Sequence, residues 1–506
     1  MPFNPLVSPR LPYGKNSEDD GGFRFPFDFS LDYYIEITEI IYLQAVYPFT
    51  PNGYVQWGIE VCAMWKEAMN NRPRKILYTV CLLLFLAACD QSTNGPEIDA
   101  DSTGKPFQCD HDNGGLTLPP GFCAAIVADN LGFVRHIAVN INGDIYATQR
   151  NHYLNLGGLL ALRDADGDGR IDEIERINDK PGMGIGIHSG YLYFASDHAL
   201  YRYRLERGKL LPSKPPEVIV TDFPEQKLHA GKTFTFDQDG SIYVNIGSPS
   251  NACQLQDLVP LSRGMDPCPQ LDLQSGIWRF DANRAGQTHK KDGYRYASGV
   301  RNAYAIDWNL NAGKLYIVQH GRDQLRELWP ELFTNEKVAQ LPAEEFLLIE
   351  EGGEYSWPYC YFDQIDNKRM LSPEYGGDGL ETGRCSQFPD PLIAFPGHYG
   401  PNDLIFYHAD QFPEKYRKGA FIAFHSGYFN NDNKRIGYHV VFIPFNGAMP
   451  AGEWEVFADG FAGKSVIATP SDAEHRPTGL AIGADGSLYI SDSVQGRIWR
   501  VIYKPH

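Results

Sequence analysis

Short apolar strands alternate with tight polar turns along most of this chain. Each repeat consists of an apolar strand, a turn rich in Gly, Asp or Asn, and a second strand carrying Tyr or Leu. Turns such as Asn142-Gly143, Asp239-Gly240 and Asp485-Gly486 suit hairpins because glycine accepts positive φ. The repeats lie at residues 136–150, 184–197, 232–247, 303–321, 415–427 and 477–493.

Six such units at roughly even spacing, with no long helical pattern between them, predict an all-β fold: a six-bladed β-propeller around a central channel. A propeller of seven or eight blades stays open if two hairpins have been merged in this count. A β-sandwich is less consistent, because it does not predict a repeated unit. Closing the ring would remove exposed strand edges. We therefore expect the last strand, Arg497 to Tyr503, to pair with strands near residues 120–128.

The overall charge excludes one class of function. The 506 residues carry a formal net charge of −18. A nucleic-acid partner would need a basic face, so the composition argues against one.

Residues 72–89 have the layout of a secretory signal. A basic start with Arg72, Arg74 and Lys75 precedes an apolar run too short to span a bilayer comfortably, and small residues then lead to Cys89. The ending Leu-Ala-Ala-Cys resembles a bacterial lipobox, in which the cysteine is lipidated. A short buried helix is the alternative. Residues 90–107 are polar and indicate a flexible tether, so residues 108–506 form the predicted propeller domain.

The same signal predicts the cellular location of the protein. We expect an exported, periplasmic protein held by lipid, and Asp90 after the lipidated cysteine favours the inner membrane, with the outer membrane left open. Residues 1–71 are a doubtful upstream extension. Either the start codon has been assigned too early, with Met64 or Met69 as the true start, or a real upstream domain exists.

The cysteines agree with export. Of nine cysteines, two precede the mature chain, Cys89 would carry lipid, and six remain. An even number in an exported protein favours disulfides, and their nearness in sequence favours local pairs. The absence of any C-x-x-C spacing argues against zinc. The expected pairs are Cys109–Cys123, Cys253–Cys268 and Cys360–Cys385.

An acidic segment has the spacing of an EF-hand calcium loop. The stretch DADGDGRIDEIE has glycine at loop position 6 and acidic residues at positions 1, 3, 5, 9 and 12. It lacks flanking helices, which indicates a calcium-stabilised loop between strands; an ordinary acidic turn is the alternative. The predicted ligands are Asp164, Asp166, Asp168, Asp172 and Glu175.

Four further segments carry candidate chemistry. They are LHAGKTFTFDQDGSIYVNIG from residue 228, YASGVRNAYAIDWN at 296–309, YIVQHGRDQ at 316–324 with EEFLLIEEGGEYSWPYC at 344–360, and a cationic C-terminal region. Together they resemble the soluble dehydrogenases for glucose and sorbosone that depend on pyrroloquinoline quinone (PQQ). The resemblance runs from about Leu118 to Tyr503.

The resemblance implies a catalytic base and a cofactor site. His229 occupies the position of the family's catalytic histidine, and imidazole suits removal of a hydroxyl proton. Arg301 and Asn302 match the family's Arg-Asn pair, and guanidinium groups suit the three carboxylates of PQQ. The remaining cofactor ligands are Lys434, Arg435 and Arg476, with the choice between Lys434 and Arg435 open.

Calcium is the second implied cofactor. The backbone carbonyls of Gly321 and Arg322 correspond to ligands of the calcium ion that polarises the quinone, and Glu345 with the Tyr355 carbonyl corresponds to a second, structural calcium site. A long insertion at residues 325–341 is expected to reshape the pocket rim. The segment 182–190 lacks a glutamine that some relatives carry, so substrate choice does not follow from the resemblance.

These features predict a PQQ- and calcium-dependent dehydrogenase that oxidises a sugar and passes electrons to a respiratory quinone or cytochrome. Two other readings stay open. One is a calcium-dependent propeller lactonase, which would need an acidic metal cluster in the channel. The other is a cofactor-free propeller that binds partners at the cell surface.

Overall fold

A computed structural model describes residues 107–151, 156–426 and 437–505. The predicted signal, the lipidation site Cys89, nearly all of the tether, and the candidate ligands Lys434 and Arg435 lie outside these ranges. Within them, no helix has the length and apolar character needed to cross a bilayer.

Most of the described strands form six mainly antiparallel sheets arranged as propeller blades, as the repeat pattern predicts. The innermost strands contact one another in a closed ring, which rules out seven or eight blades in the described part of the chain. Strand β1 (Phe122–Ala128) belongs to the last blade. The first blade contains β2 (Val134–Val139), β3 (Ile145–Asn151), β4 (Leu156–Arg163) and β5 (Glu173–Asn178).

The second and third blades each take a fifth, parallel strand from later in the chain. The second blade contains β6 (Gly182–His188), β7 (Tyr191–Ser196), β8 (Leu200–Arg204) and β9 (Glu217–Thr221), and the third contains β10 (Phe234–Phe236), β11 (Ser241–Ile246) and β12 (Gly276–Asp281). The added strand of the second blade is β13 (Gln287–Thr288), followed by the short helix α1 (His289–Asp292) and then by β14 (Tyr294–Ser298) of the third blade.

The fourth blade carries the largest insertions. It contains β15 (Ala305–Asn309), β16 (Lys314–Gln319), helices α2 (Leu325–Leu328) and α3 (Asn335–Val338), and β17 (Glu344–Ile349). Strand β18 (Gly353–Glu354) completes the third blade. A separate hairpin, β19 (Cys360–Asp363) with β20 (Lys368–Leu371), precedes the outer strand β21 (Ile393–Phe395).

The last two blades close the ring. The fifth contains β22 (Pro401–Tyr407), β23 (Gly419–Phe424), β24 (His439–Asn446), β25 (Met449–Pro450) and β26 (Glu455–Ala458). The sixth contains β27 (Pro477–Ile482), β28 (Leu488–Asp492) and β29 (Ile498–Tyr503), and β1 pairs antiparallel with β29 from Phe122↔Tyr503 onwards. The predicted pairing of the two chain ends is confirmed.

One predicted repeat misses the first strand of its blade. The predicted unit at 415–427 covers only β23, whereas the innermost strand of the fifth blade is β22. Strand β22 begins at Pro401 and places Asn402 and Asp403 near the channel, so its start is not apolar.

The hydrophobic core is divided into six layers, one between each pair of neighbouring blades. For example, Tyr146 of the first blade packs with Phe194 of the second, and Tyr316 of the fourth packs with Phe406 of the fifth. Large aromatic side chains suit these wedge-shaped spaces. Burial between blades, rather than within one blade, makes the ring stable as a unit.

Polar side chains also connect the innermost strands. Asp307 on β15 accepts hydrogen bonds from the backbone N–H of Phe406 on β22 at 2.8 Å and from the Thr235 hydroxyl of β10 at 3.0 Å. Asp403 on β22 accepts from the N–H of Leu480 on β27 at 2.7 Å. Each bond joins neighbouring blades at the channel wall.

The three expected disulfides are present. Cys109–Cys123 lies before and within β1, Cys253–Cys268 braces the long loop between β11 and β12, and Cys360–Cys385 ties β19 to a short 3₁₀ helix, Gly383–Gln387.

Candidate active site

A polar cavity of about 170 Å³ lies where the loops of the third, fourth and fifth blades meet. Its walls come from the segments before the innermost strands β10, β15 and β22 and from the segments after β16 and β23. Five predicted site residues meet here although they lie far apart in sequence. They are His229, Arg301, Asn302, Gly321 and Arg322.

His229 is held in one tautomer. It lies before β10 with a positive φ of 51°, and its Nδ1 lies 2.8 Å from the backbone carbonyl of Ser248. A carbonyl only accepts hydrogen bonds, so Nδ1 carries the proton and Nε2 keeps its lone pair. Within the described ranges, Nε2 makes no hydrogen bond. Burial and the nearby charge of Arg301 lower the pKa of His229 to about 3, which keeps the imidazole neutral.

Arg301 is buried and largely engaged by the protein. Its guanidinium donates to the Asn251 carbonyl at 3.2 Å, the Asn251 side chain at 3.0 Å, the Gly321 carbonyl at 2.9 Å and Asp323 at 2.8 Å. Four of its five N–H groups are thereby used, which fixes the plane of the group and leaves one N–H for a ligand. Desolvation raises the pKa of Asp323, but the charge of Arg301, its hydrogen bond to Asp323 and the nearby His398 and His229 together outweigh it, so the pKa is lowered and the pair stays ionised.

Asn302 is fixed on both sides of its amide. Its oxygen accepts from the side chain of Asn245 at 3.2 Å, and its nitrogen lies 3.4 Å from Nδ1 of His320. The Asn302 backbone carbonyl also accepts from the N–H of His320 at 2.9 Å. The Arg-Asn pair is therefore tied to the segment that follows β16.

The segment Gly321-Arg322 forms one wall. The N–H of Gly321 donates to the buried carboxyl of Glu344 at 2.9 Å, and its carbonyl accepts from Arg301. The Arg322 side chain is buried and pairs with the buried carboxylate of Glu374, which neutralises its charge. Its Nε and Nη2 atoms are buried without a partner in the described structure.

Several wall residues were not expected from the sequence. Burial lowers the pKa of His320 to about 4 and raises that of Glu344 to about 7. Burial, with the charges of Arg476 and Arg135, holds the pKa of His425 well below its usual range. His320 stands inside the quoted motif YIVQHGRDQ, so that motif could have indicated it. The unexpected residues are Tyr304, His320, Asp323, Pro342, Glu344, His398, Gly400, Asn402, His425 and Ser426.

This arrangement combines neutral imidazoles with guanidinium groups that the protein has already fixed. Such a site can bind an anionic ligand and accept a proton from it or from a second molecule. A family profile described as TrAA12-like matches residues 116–504, which is most of the chain. The chain belongs to the TrAA12-like family.

Solved structures support the same fold. The PQQ domain of pyranose dehydrogenase from Coprinopsis cinerea, in its holo form, is 17% identical with a TM-score of 0.59, and the match covers 79% of this chain and 98% of that one. The calcium structure of the family AA12 enzyme from Trichoderma reesei is also 17% identical, with a TM-score of 0.62, over 80% of this chain and 100% of that one. No curated protein matches significantly. The chain therefore shares the fold of these two solved structures.

Arg476 lies beside the cavity of this TrAA12-like protein. It precedes β27, and its guanidinium donates to the carbonyls of His425 at 3.0 Å and Ser426 at 2.7 Å, both of which line the cavity. Its backbone N–H donates to Asp492 at 2.7 Å. Arg476 therefore fixes the end of β23 at the cavity wall.

Glu345 and the Tyr355 carbonyl, which were predicted to bind a second calcium ion, are not arranged as ligands of one ion. The Glu345 carboxylate is buried, and its two oxygens accept from Arg369 at 2.7 Å and Gln319 at 3.0 Å. The Tyr355 carbonyl packs against Gly299, so closely that a Cβ added there would lie 1.8 Å from it. The residues present do not fit a calcium ion, because the guanidinium of Arg369 already occupies the position opposite the Glu345 carboxylate.

The EF-hand-like loop lies apart from the cavity, between β4 and β5. Asp164, Asp166 and Asp172 each offer an oxygen, and these oxygens lie within 4.8 Å of one another. Asp168 and Glu175 are not part of this group. Asp168 accepts from the N–H of Arg170 at 2.9 Å, and Glu175 lies on β5 opposite Ala161.

The insertion at 325–341 contacts the cavity wall from behind, and none of its residues lines the cavity itself. Its two short helices pack a small apolar cluster against Tyr361 and Met370 of the β19–β20 hairpin. The carbonyl of Val338 accepts from Nε2 of His398, a cavity residue, at 2.8 Å. The insertion thus positions one side of the cavity.

Proposed function

We propose that this protein oxidises a sugar at a CH–OH group, with PQQ as electron acceptor and Ca²⁺ as a second cofactor. The observation that carries the proposal is His229: a neutral imidazole whose Nε2 makes no hydrogen bond to a described residue, in a polar cavity that it shares with Arg301, in a chain of the TrAA12-like family. The holo pyranose dehydrogenase domain, which has the same fold, supports the choice of cofactor and substrate class.

His229 would accept the proton of the sugar hydroxyl. Oxidation of an alcohol removes a proton from oxygen and a hydride from carbon. The lone pair of His229 Nε2 is available to accept the proton. The hydrogen bond from Nδ1 to the Ser248 carbonyl keeps Nε2 directed away from the backbone and stabilises the ring when it becomes protonated. Bound PQQ would supply the acceptor for the hydride.

The cavity residues fit an anionic cofactor. Arg301 retains one unused N–H, and two nitrogens of the cavity residue Arg322, Nε and Nη2, are buried without a partner among the described residues. Burying unpaired donors costs about 1–3 kcal/mol each, so carboxylate ligands would remove a penalty that the free protein carries. Asn302 and Arg476 would add further donors at the cavity edge. The Gly321 carbonyl, with one lone pair still unused, is a candidate calcium ligand.

A lactonase is less consistent with the site. It would need carboxylates gathered around a metal in the channel. Among the described residues, the one group of side chains close enough to share a metal is Asp164, Asp166 and Asp172, and it lies outside the cavity.

A titration of the purified cofactor-free protein with PQQ and calcium tests the proposal. We expect saturable PQQ binding that calcium strengthens, followed by dye-linked oxidation of aldoses. Calcium-dependent lactone hydrolysis without PQQ binding would favour the lactonase. The absence of both responses would favour a binding module.

We further propose that the chain is exported and lipid-anchored at Cys89, at the periplasmic face of a membrane, where a respiratory quinone or cytochrome can accept its electrons. The sequence signal at 72–89 motivates this, and three disulfides are typical of exported proteins.

A further inference from the structure

Arg369 is a buried cation surrounded by oxygen atoms. It lies on β20 with 3% of its side chain exposed. Its guanidinium donates to the Ser356 hydroxyl at 2.7 Å, the Glu345 carboxylate at 2.7 Å and the Pro389 carbonyl at 2.6 Å. A hydroxyl, a carboxylate and a carbonyl are also the hard oxygen ligands that calcium takes in proteins.

We propose that the guanidinium of Arg369 is the resident cation of this site, where it replaces a structural calcium ion and, through Glu345 and Gln319, positions the backbone of Arg301. The first part concerns the protein alone. The second rests on the proposed function, because it assigns Arg301 to cofactor binding.

The charge balance excludes calcium from this position. Among the described residues, Glu345 is the one carboxylate in direct contact with the guanidinium, and Asp390, 70% exposed, lies 3.9 Å from Arg369 Nε. One buried negative charge and one buried positive charge neutralise each other. A divalent ion would face a fixed guanidinium and a carboxylate whose oxygens are both occupied, and that arrangement is strongly unfavourable in a buried site.

The same guanidinium joins three parts of the fourth-blade insertions. Glu345 lies on β17, Ser356 lies in the loop before β19, and Pro389 lies between a 3₁₀ helix and β21. A calcium ion with ligands in these segments would join the same parts of the chain. Arg369 therefore provides the cross-link without depending on the calcium concentration outside the cell.

A directed chain of hydrogen bonds runs from Arg369 to the cavity. Glu345 can only accept, so the amide nitrogen of Gln319 must face it, at 3.0 Å. The amide oxygen of Gln319 then faces the backbone N–H of Arg301, at 3.1 Å. The pairing of Glu345 with Arg369 thus sets the orientation of Gln319, and Gln319 sets the position of Arg301.

Calcium binding to the cofactor-free, full-length protein tests the first part. Equilibrium dialysis with ⁴⁵Ca²⁺ should give the same number of bound ions for the wild type and for Glu345→Gln. Loss of one equivalent in Glu345→Gln would show that calcium binds at Glu345 and would overturn the proposal.

The Arg369→Met variant tests the replacement directly. Removing the guanidinium leaves Glu345 unpaired beside two other oxygens, so millimolar Ca²⁺ should raise the Tm of this variant more than that of the wild type. The gain should vanish in Arg369→Met/Glu345→Gln. Arg384→Met, which removes an exposed ion pair with Asp266 at 2.9 Å, is the matched control and should respond as the wild type does. An equal response of Arg369→Met and the wild type contradicts the replacement. If Arg369→Met does not fold, the dialysis of Glu345→Gln still decides.

The Gln319→Leu variant tests the positioning of Arg301. The variant removes both buried hydrogen bonds of the Gln319 amide, the one from the Arg301 N–H and the one to Glu345. Loss of the first should weaken PQQ binding about fivefold, while the bound calcium in the cofactor-free protein stays unchanged. Unchanged PQQ affinity in Gln319→Leu would overturn the positioning role. If the wild type itself binds no PQQ, the proposed function fails, and the calcium measurements still decide the role of Arg369.

Discussion

Burial determines the charge state of the residues around the cavity. His229 and His320 have pKa values lowered to about 3 and about 4 by burial and by the charge of Arg301. Burial raises the pKa of Glu344 to about 7, because burial disfavours the charged form of any group. A neutral imidazole can accept a proton, whereas a protonated imidazole beside Arg301 would be repelled by the positive charge of the guanidinium.

Replacing His229 by Ala should slow turnover without abolishing cofactor binding. Loss of a general base costs about 10²–10⁴-fold in rate. The measurements are kcat with an aldose and an artificial dye, and the Kd for PQQ. His408→Ala is the control, since His408 lies on the β22–β23 hairpin and its Nδ1 contacts only the Phe406 carbonyl, at 2.9 Å. Wild-type turnover in His229→Ala would contradict the assignment.

Arg301→Ala and Arg476→Ala should weaken PQQ binding more than they slow the reaction of bound enzyme. Each removes a charged donor near the cavity, at a cost of about 1.5–3 kcal/mol, or roughly 10- to 150-fold in Kd. Fluorescence titrations with PQQ measure this. Arg295→Ala, whose side chain contacts the Leu271 carbonyl at 2.9 Å on the surface, serves as the control. Dissociation constants equal to that of the wild type would support the cofactor-free reading.

At the scale of the elements, the channel wall contains carboxyl groups that join one blade to the next. Burial raises the pKa of Asp307 from 3.8 to about 6, although Phe406 and Thr235 donate to it. The folded state therefore prefers the protonated form more than the unfolded state does. The resulting stabilisation is fully present below pH 3.8 and is lost as the pH rises through about 6.

The Asp307→Asn variant should remove this pH dependence. An asparagine can still accept from Phe406 and can donate to the Thr235 hydroxyl, so the contacts between blades are kept. We expect a Tm above that of the wild type at pH 8, by an amount equivalent to at most about 3 kcal/mol, and a difference that disappears towards pH 4. Asp239→Asn, in the exposed β10–β11 turn, is the control for loss of one negative charge. A constant difference at all pH values would contradict this account.

The sequence pattern predicted the hairpins better than it predicted their partners. Turns with glycine, such as Gly143 and Gly240, mark β2–β3 and β10–β11 because positive φ is required there. Strand β22 escaped detection because its first residues are polar where they meet the channel. The two short helices of the insertion have no amphipathic period long enough to recognise.

The candidate site was predictable only in part, for a related reason. His229 and Arg301 stand in motifs that are recognisable locally. Glu344 begins the quoted segment EEFLLIEEGGEYSWPYC, but the segment alone does not show that its side chain reaches the cavity. His398 and His425 reach the cavity through the closure of the ring, and none of the four quoted segments contains them. Arg369 was missed as well, since its partner Glu345 is defined by tertiary contact rather than by spacing.

At the scale of the whole molecule, ring closure brings the two ends of the described chain together. Strand β1 pairs with β29, Phe107 stacks against the Arg500 guanidinium at 4.3 Å, and Lys504 donates to the Phe107 carbonyl at 3.0 Å. The proposed tether would therefore join the propeller at Phe107, beside the sixth blade. The cavity is formed by the third to fifth blades. Anchoring through this end is compatible with an unperturbed active site.

The proposed lipid anchor at Cys89 can be tested by mutation. In a host that processes lipoproteins, Cys89→Ala should give protein without lipid, either soluble or uncleaved, whereas the wild type should fractionate with membranes. Oxidation of sugar with an artificial dye should survive where processing does, because the cavity depends on residues far from Cys89. Sugar-dependent respiration should fall, since a tether raises the effective concentration of enzyme at the membrane acceptor without adding any contact. Cys81→Ala, within the same apolar run, is the matched control and should remain lipidated. Mass spectrometry of the native protein decides the matter: an unmodified N-terminus upstream of Cys89 would place residues 1–88 in the mature chain and refute the anchor.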